Sequence, residues 1–465
     1  MIETRRTFLT TAGAALAGST LFDVRTLLAG PPGVRMDVGS MTATTPALVS
    51  YGNAITAMKA LPATNPLSWT YQAAIHGSLT GPPQPAWNTC EHGSLEFLSW
   101  HRMYLYWFER IIRKQSGDPD FALPFWNYEA STERYLPPPF RTPGTGLFVP
   151  DADRGSGWNA GTSFLQASAV STAGCLPQVP YSSFSSNLEG TPHAAVHITF
   201  GSTGGWMGQV PTAAQDPIFY LHHCNIDRLW NVWLAQGGRS DPLGDATWTK
   251  KEFLFFDENG AQVWMTGCDI LRARDQLGYS YDGEPTQVEP FCLKLIPWWK
   301  WIYFTRLPWP PFRIPPGPDP GPVELDVRTI REQLLRAAED KQAEVVLRLS
   351  GVMANRQPNV YWEVYVGLPK GEAAVTESAA YVGNVAIFGA GVTGHEHGRL
   401  GGAQIDLTLD RAVQAALTRD NSHTLSLHFV AKGAGSKEPR EMRNVATVTI
   451  GRAQLMERRL QEVKQ

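Results

Sequence analysis

The sequence predicts two units of different class: a mainly α core, built as a four-helix bundle with long loops, and then an antiparallel β-sandwich. Three observations predict this. Six of the eleven histidines form two triplets before residue 225, in runs that read as helices separated by Gly/Pro/Ser-rich loops. From residue 323 the pattern changes to seven β-branched runs divided by Gly/Asn/Asp turns. Between the two lies IPWWKWIYFTRLPWPPFRIPPGPDPGP, residues 296–322, whose second half is a proline-rich linker. The expected boundaries are 1–30, 31–295, 296–322 and 323–455.

Residues 1–30 stand apart. Arg5-Arg6 ahead of Phe8-Leu9 and an Ala/Gly-rich run have the make-up of a Tat-type export signal. The expected partner is therefore the Tat export machinery, and the expected location periplasmic or secreted. The apolar run is too short to span a membrane. A net charge of −3 recommends no nucleic-acid partner. Trp298, Trp299, Trp301 and Tyr303 have the chemistry of a membrane interface, but the prolines that follow prevent a sustained amphipathic helix. The strip is expected to pack over the core instead. The oligomeric state is not legible.

The helical core carries the chemistry. The first triplet is His76, His92 and His101, in QAAIHG, NTCEHGSLEF and LSWHRMYLYWFER. The second is His193, His197 and one of His222 and His223, in LEGTPHAAVHITFG and DPIFYLHHCNIDRLW. Neutral imidazoles without thiolates or clustered carboxylates suit copper or zinc. His193 and His197 are spaced i, i+4, so a helix presents both on one face. Zinc proteases share that spacing but place a catalytic glutamate after the first histidine. Here that residue is Ala194, and the hydrolase reading loses its base. YLYWFERIIR after His101 has helical apolar spacing, which buries Arg102 beside a ligand. A buried guanidinium needs a carboxylate, and Asp227 is the candidate. The five cysteines are an odd number; apart from Cys90, the other four could pair with unreadable connectivity.

HRMYLYWFER and DPIFYLHHCNIDRLW resemble the two copper signatures of the type-3 copper family: tyrosinases, catechol oxidases and hemocyanins. WTYQAAIHG, LPFWNYE and GTPHAAVH resemble its other core segments, and EFLFFDENGAQVWMTGCDILRARDQLGYSYD the segment after the core in plant polyphenol oxidases. The resemblance implies two copper ions, phenolic substrates and dioxygen, and oxidation of o-diphenols to o-quinones with at most weak monophenol hydroxylation. A hemocyanin-like oxygen carrier shares the ligands, and the export signal speaks against it; a tyrosinase with full monophenolase activity is a further alternative. By the resemblance, His223 is the third ligand of the second copper, and His222 stands behind it. Cys90 is expected to join His92 through a thioether. Glu189 matches the glutamate that holds a base water. Ala194 replaces the asparagine of many tyrosinases, and Val210 aligns with a bulky gate residue of some catechol oxidases. The C-terminal sandwich resembles the domain that keeps plant polyphenol oxidases latent, with its blocking side chain expected near Val382 to Gly389. His395 and His397, in GHEHG, read as loop histidines.

Overall fold

A computed structural model describes residues 33–285 except 82, 83, 202 and 203. Beyond these it describes 299–314, 321–340, 343–369, 372–389, 403–419, 423–433 and 446–462. The signal-like residues 1–30, Cys292, Trp298, His395 and His397 lie outside the described residues.

Six helices frame the first domain: α1 (Pro46–Lys59), α2 (Trp69–His76), α3 (Phe97–Ser116), α4 (Tyr181–Leu188), α5 (Ala195–Gly201) and α6 (Ile218–Leu234). Local sequence sets their ends. Pro46 supplies a preset φ in the first turn of α1, and the Ser68 hydroxyl caps α2 by accepting from Tyr71 N–H. Gly117, at φ 72°, stops α3 just after Arg113 and Lys114, which complement the dipole. Fifteen of the twenty residues of α3 are buried, so this helix is the central rod and is enclosed on every side. The helix carrying His193 and His197 is continuous from Pro192, and the irregularity lies just ahead of it. Residues Glu189–Ala194 form a π-type turn in which Thr191 is extended, at φ −145° and ψ 123°, and Pro192 restarts the winding that leads into α5.

Strand β1 (Gly33–Arg35) pairs in parallel with β2 (Tyr279–Tyr281), so the two ends of the domain meet. Side chains weld this junction. Asp227 on α6 accepts from the Tyr279 and Tyr281 hydroxyls, both at 2.6 Å, and Arg35 lies 3.6 Å over the Tyr279 ring. Cys90, Cys175 and Cys224 are buried and form no disulfide among the described residues.

The second domain is a sandwich of two antiparallel sheets. One runs β8 (Tyr381–Val385), β7 (Tyr361–Val366), β10 (Thr424–Lys432), β5 (Val323–Asp326). The other runs β9 (Ala403–Thr408), β6 (Ala343–Ala354), β11 (Val448–Glu462), β3 (Trp299–Trp309), and β4 (Phe312–Ile314) also pairs with β11. Two expectations need correction. The stretch 296–322 was read as a linker, but residues 299–309 add a strand along β11, because Trp, Ile, Tyr and Phe alternate through it with the high strand propensity that the following prolines obscured. For the same reason the domain does not close at 455: β11 continues to Glu462 to pair with Trp299. Two helices, α7 (Arg331–Glu339) and α8 (Asp410–Arg419), were not anticipated; they pack on the sandwich through residues such as Leu334, Ala337, Val413 and Leu417.

The sandwich sits on the helical domain beside α4. Ser183 Oγ lies 3.3 Å from Asp406, Asn384 Nδ2 donates to Ser168 O at 2.9 Å, and the Ser168 and Tyr361 hydroxyls lie 2.6 Å apart. Tyr361, Ala386 and Phe388 are packed into the apolar core of the helical domain rather than their own. This is how the second domain reaches the histidines.

Candidate metal centre

All seven histidines of the two triplets and their spare lie buried together. His76 is the last residue of α2, and His101 follows the first turn of α3. His92 comes from the loop entering α3, His193 from the π-type turn, His197 from α5, and His222 and His223 from α6.

Four imidazoles are oriented in the same way. His76 Nδ1 lies 3.0 Å from Val210 O, His101 Nδ1 2.7 Å from Phe97 O, His193 Nδ1 3.1 Å from Glu189 O and His197 Nδ1 2.8 Å from Met207 O. A carbonyl oxygen only accepts, so each Nδ1 carries the proton and each Nε2 keeps a bare lone pair. The Nε2 atoms of His101 and His193 are buried with no hydrogen-bond partner. Burial first, and then the neighbouring imidazoles, hold His193 and His223 far below the usual histidine pKa, and burial does the same for His101 and His197. Uncharged imidazole nitrogens with lone pairs turned into one buried space are what a metal ion requires of its ligands.

The spacing fits as well. One nitrogen from each of His76, His92 and His101 falls within 4.8 Å of the others, and the same holds for His193, His197, His222 and His223. His197 Nε2 and His223 Nε2 are 3.4 Å apart. Two nitrogens at about 2.0 Å from one tetrahedral ion stand roughly 3.3 Å apart. The two groups adjoin: the His101 and His223 rings stack at 4.3 Å, and His92 lies 5.6 Å from His193. His222 differs from His223 in being tethered from behind, with its Nδ1 3.1 Å from the Tyr128 hydroxyl.

The supporting residues fall into place around them. Arg102 Nε lies 2.5 Å from Asp227 Oδ1, with Arg102 also donating to Asn231 Oδ1 at 2.6 Å and stacking 3.8 Å over Trp230. Burial opposes the charge on Asp227, but the Arg102 and Arg35 guanidiniums and two tyrosine hydroxyls outweigh it and hold the carboxyl below its ordinary pKa. Glu189 Oε1 accepts from Gly93 N–H at 2.7 Å, and burial, partly offset by that bond, pushes its carboxyl up to about 8. Cys90 Sγ is 3.5 Å from His92 Nδ1. Glu189, Ala194 and Phe388 line a space of about 100 Å³, and Val210 packs with the His92 ring against Gly389.

That space is closed by the second domain. The Phe388 ring stacks on His197 at 4.0 Å and 11°, and meets His92 and His193 edge-on, both at 5.8 Å. The sequence marked only the run Val382 to Gly389. Phe388 itself was hidden because, within an alternating strand pattern, an aromatic residue reads as sandwich core. Tyr128 and Phe219, which lies 4.7 Å from His76, were also missed; Phe219 sits in the apolar run IFYL, and Tyr128 between Asn127 and Glu129 carries no spacing that ties it to a histidine.

Two adjoining groups of buried histidines on a helical frame, four of them oriented by carbonyls, form a site of the kind that holds a pair of metal ions. Residues 66–171 and 158–236 match the common central domain of tyrosinase, and residues 243–289 the polyphenol oxidase middle domain. Residues 322–458 match a domain of unknown function. A tyrosinase of Hahella sp. (strain CCB-MM4) is 35% identical over 286 residues, covering 50% of this chain and 59% of the relative. The chloroplastic polyphenol oxidase A1 of Vicia faba is 34% identical over 277 residues, covering 51% and 46%. The chain thus spans about half the length of the curated relatives it matches. The structure of latent apple tyrosinase shares the fold at a TM-score of 0.60 and 22% identity, over 92% of this chain and 98% of that one. Residues 66–289 thus carry the central and middle domains of the tyrosinase and polyphenol oxidase family of type-3 copper proteins.

Proposed function

We propose that this chain oxidises o-diphenols to o-quinones with dioxygen, with weak hydroxylation of monophenols. One copper would be held by His76, His92 and His101, the other by His193, His197 and His223. The observation that carries this reading is the set of four buried imidazoles whose Nδ1–H groups are fixed on carbonyls and whose Nε2 atoms converge. Copper, when bound, supplies the one-electron couples that link a diphenol to dioxygen.

The chain's own residues supply orientation, exclusion of water and a proton acceptor. A diphenol ring takes the slot over His197, where Phe388 now shows that an aromatic ring fits. Glu189, buried and raised towards neutrality, accepts the proton released by the substrate hydroxyl. Ala194 offers no amide to help deprotonate a monophenol, whereas Val210 leaves room above the first site; the pair favours diphenols without excluding monophenols. Cys90 joined to His92 would steady the only ligand that comes from a loop, and a peptide spanning both residues would then be two hydrogens lighter by mass spectrometry. With Phe388 in the slot, the intact chain is latent, which suits an enzyme exported folded through the Tat route.

Metal analysis and oxygen uptake test the reading together. The expected result is two coppers per chain and catechol-dependent oxygen uptake that a copper chelator abolishes. His197→Ala should lose the activity, since it removes a ligand and the ring on which the substrate stacks. A protein that carries zinc and no copper, or a fully active His197→Ala variant, would sink the proposal.

A further inference from the structure

We infer that the seam between the two domains holds a binding site for a neutral, polyhydroxylated small molecule of the size of one sugar ring, lodged against the π-type turn. No histidine lines this site, and binding there does not depend on the oxidation proposed above.

The site is a cavity of about 440 Å³ walled by both domains. Small-molecule sites span about 300–1,000 Å³, so the volume is of the right order. The helical domain contributes the loop 171–178, the end of α4 and the Gly190–Thr191 backbone. The cover contributes β8 and β9, which are the edge strands of its two sheets, and the start of α8.

The fold leaves polar groups of this wall unused. Asn187 is only 8% exposed; its Nδ2 donates to Ser183 O at 2.8 Å, and its Oδ1 has no partner among the described residues. The Thr191 hydroxyl is buried with no hydrogen-bond partner. Buried polar groups are as a rule satisfied, and a ligand is one means of satisfying these two. On the opposite wall the Thr408 hydroxyl accepts from Gln178 Nε2 at 3.4 Å, which leaves its own proton to donate.

Charge on the walls is already answered. Arg348 holds both oxygens of Asp406, each at 2.7 Å, and Glu344 acts electrostatically on Arg239 of the helical domain. A charged ligand would have to compete with these pairs, so a neutral one is favoured. A hydroxyl both donates and accepts. Several hydroxyls on a saturated ring can therefore meet Asn187, Thr191, Thr408 and an Asp406 oxygen together, while the C–H faces of the ring lie on Ile405 and Leu407. A phenol carries too few hydroxyls on its flat ring to do this. A ligand held in this way ties the cover to the helical domain and grips the turn that carries Glu189 and His193.

The test is calorimetry on the full chain with D-glucose, myo-inositol and cyclohexanol, the last being the inositol ring with a single hydroxyl. At least one of the two polyols should bind saturably and one to one, and cyclohexanol about tenfold more weakly or less. Thr191→Val and Asn187→Leu each delete one polar partner and should weaken the polyol about tenfold. Gly174→Phe should abolish binding. A Cβ added at Gly174 meets no atom within 4 Å, so the ring enters the cavity without straining the fold, and this variant decides the matter should the other two fail to fold. With the polyol bound, hydrogen exchange should slow in residues 187–191 and 404–408 together, one set from each domain. No saturable binding of either polyol up to about 0.1 M overturns the site. Binding that survives Gly174→Phe overturns it as well, because the polyol then sits elsewhere. Cyclohexanol bound as tightly as the polyols overturns the ligand class, and exchange slowed on one side alone overturns the bridge between the domains.

Discussion

In the helical domain Arg35, Arg102 and Arg154 are fully buried and paired with Glu109, Asp227 and Asp216, whereas the cover keeps ionic and amide groups near its seam, with Asp406 held by Arg348 and facing Ser183. The contrast follows from how each domain satisfies its backbone. Long strands such as β6 and β11 pair along their whole length, so the ion pairs of the sandwich, Arg348–Asp406 and Lys432–Glu363, join neighbouring strands rather than distant segments. The helical domain has short helices joined by irregular loops, and its distant segments are tied by side chains instead. Asp227 alone receives groups from β1, α3 and β2. Such a network holds the histidines of the centre in one geometry, at the expense of tolerance to change. The seam of the cover, built from single hydrogen bonds to serines, is suited to parting.

The largest effect that tests this contrast should come from Arg102→Met. It leaves Asp227 buried beside an apolar chain and removes the tie between α3 and α6. Breaking a buried pair from one side costs about 3–5 kcal/mol. Denaturant unfolding should show the helical domain destabilised by that order, with copper binding weakened in parallel because His101 and His223 lie on the two helices that part. A loss below about 1 kcal/mol would mean that the network is no stronger than a surface pair.

Phe388→Ala comes next, and it acts on the seam. Removing the ring frees the slot on His197 while leaving the cover attached through Asp406, Asn384 and Tyr361. If the plug keeps the site open in about a tenth or fewer of the molecules, catechol turnover should rise about tenfold or more. Copper content should stay as in the wild type. Equal turnover in the two proteins would show that the cover is structural and bars nothing.

How much of this was legible in the sequence also differs between the domains. Metal ligands announce themselves, since histidines at helical spacing have few other reasons to gather, and Arg102 pointed to Asp227 because a buried guanidinium needs a carboxylate. The break at Thr191 was not legible; only the helix restart at Pro192 hints at it. All seven strand runs from residue 323 appear as strands, yet the strand in 299–309 was masked by its prolines, and helix α8 by lying between two strand patterns. Phe388 and Gly389 were the least legible. Their role depends on where one domain rests on the other, and no local pattern encodes that.

The smallest effect concerns a second buried acid of the helical domain. Asp241 Oδ1 accepts from Trp230 Nε1 at 3.1 Å, while its Oδ2 is buried with no partner. Burial pushes the carboxyl up to about 7, with Arg102 and the Trp230 bond pulling the other way. The unfolded value is about 3.9. A group raised in this way contributes stability that is complete below about pH 4 and is lost as the pH rises through about 7. Asp227 has the opposite sign: its contribution is present above about pH 4 and lost as the pH falls through its depressed folded value. Taken together, these two groups favour the folded domain most near pH 4. Asp241→Asn is neutral at every pH and keeps the acceptor for Trp230, so it should flatten only the alkaline side. Relative to their values near pH 4, the melting temperatures of the two proteins should draw apart as the pH rises to about 7, the wild type losing stability that the asparagine variant keeps. Parallel melting curves from pH 4 to 8 would mean that the fold holds Asp241 ionised, with a compensating cation that the Arg102 network does not supply.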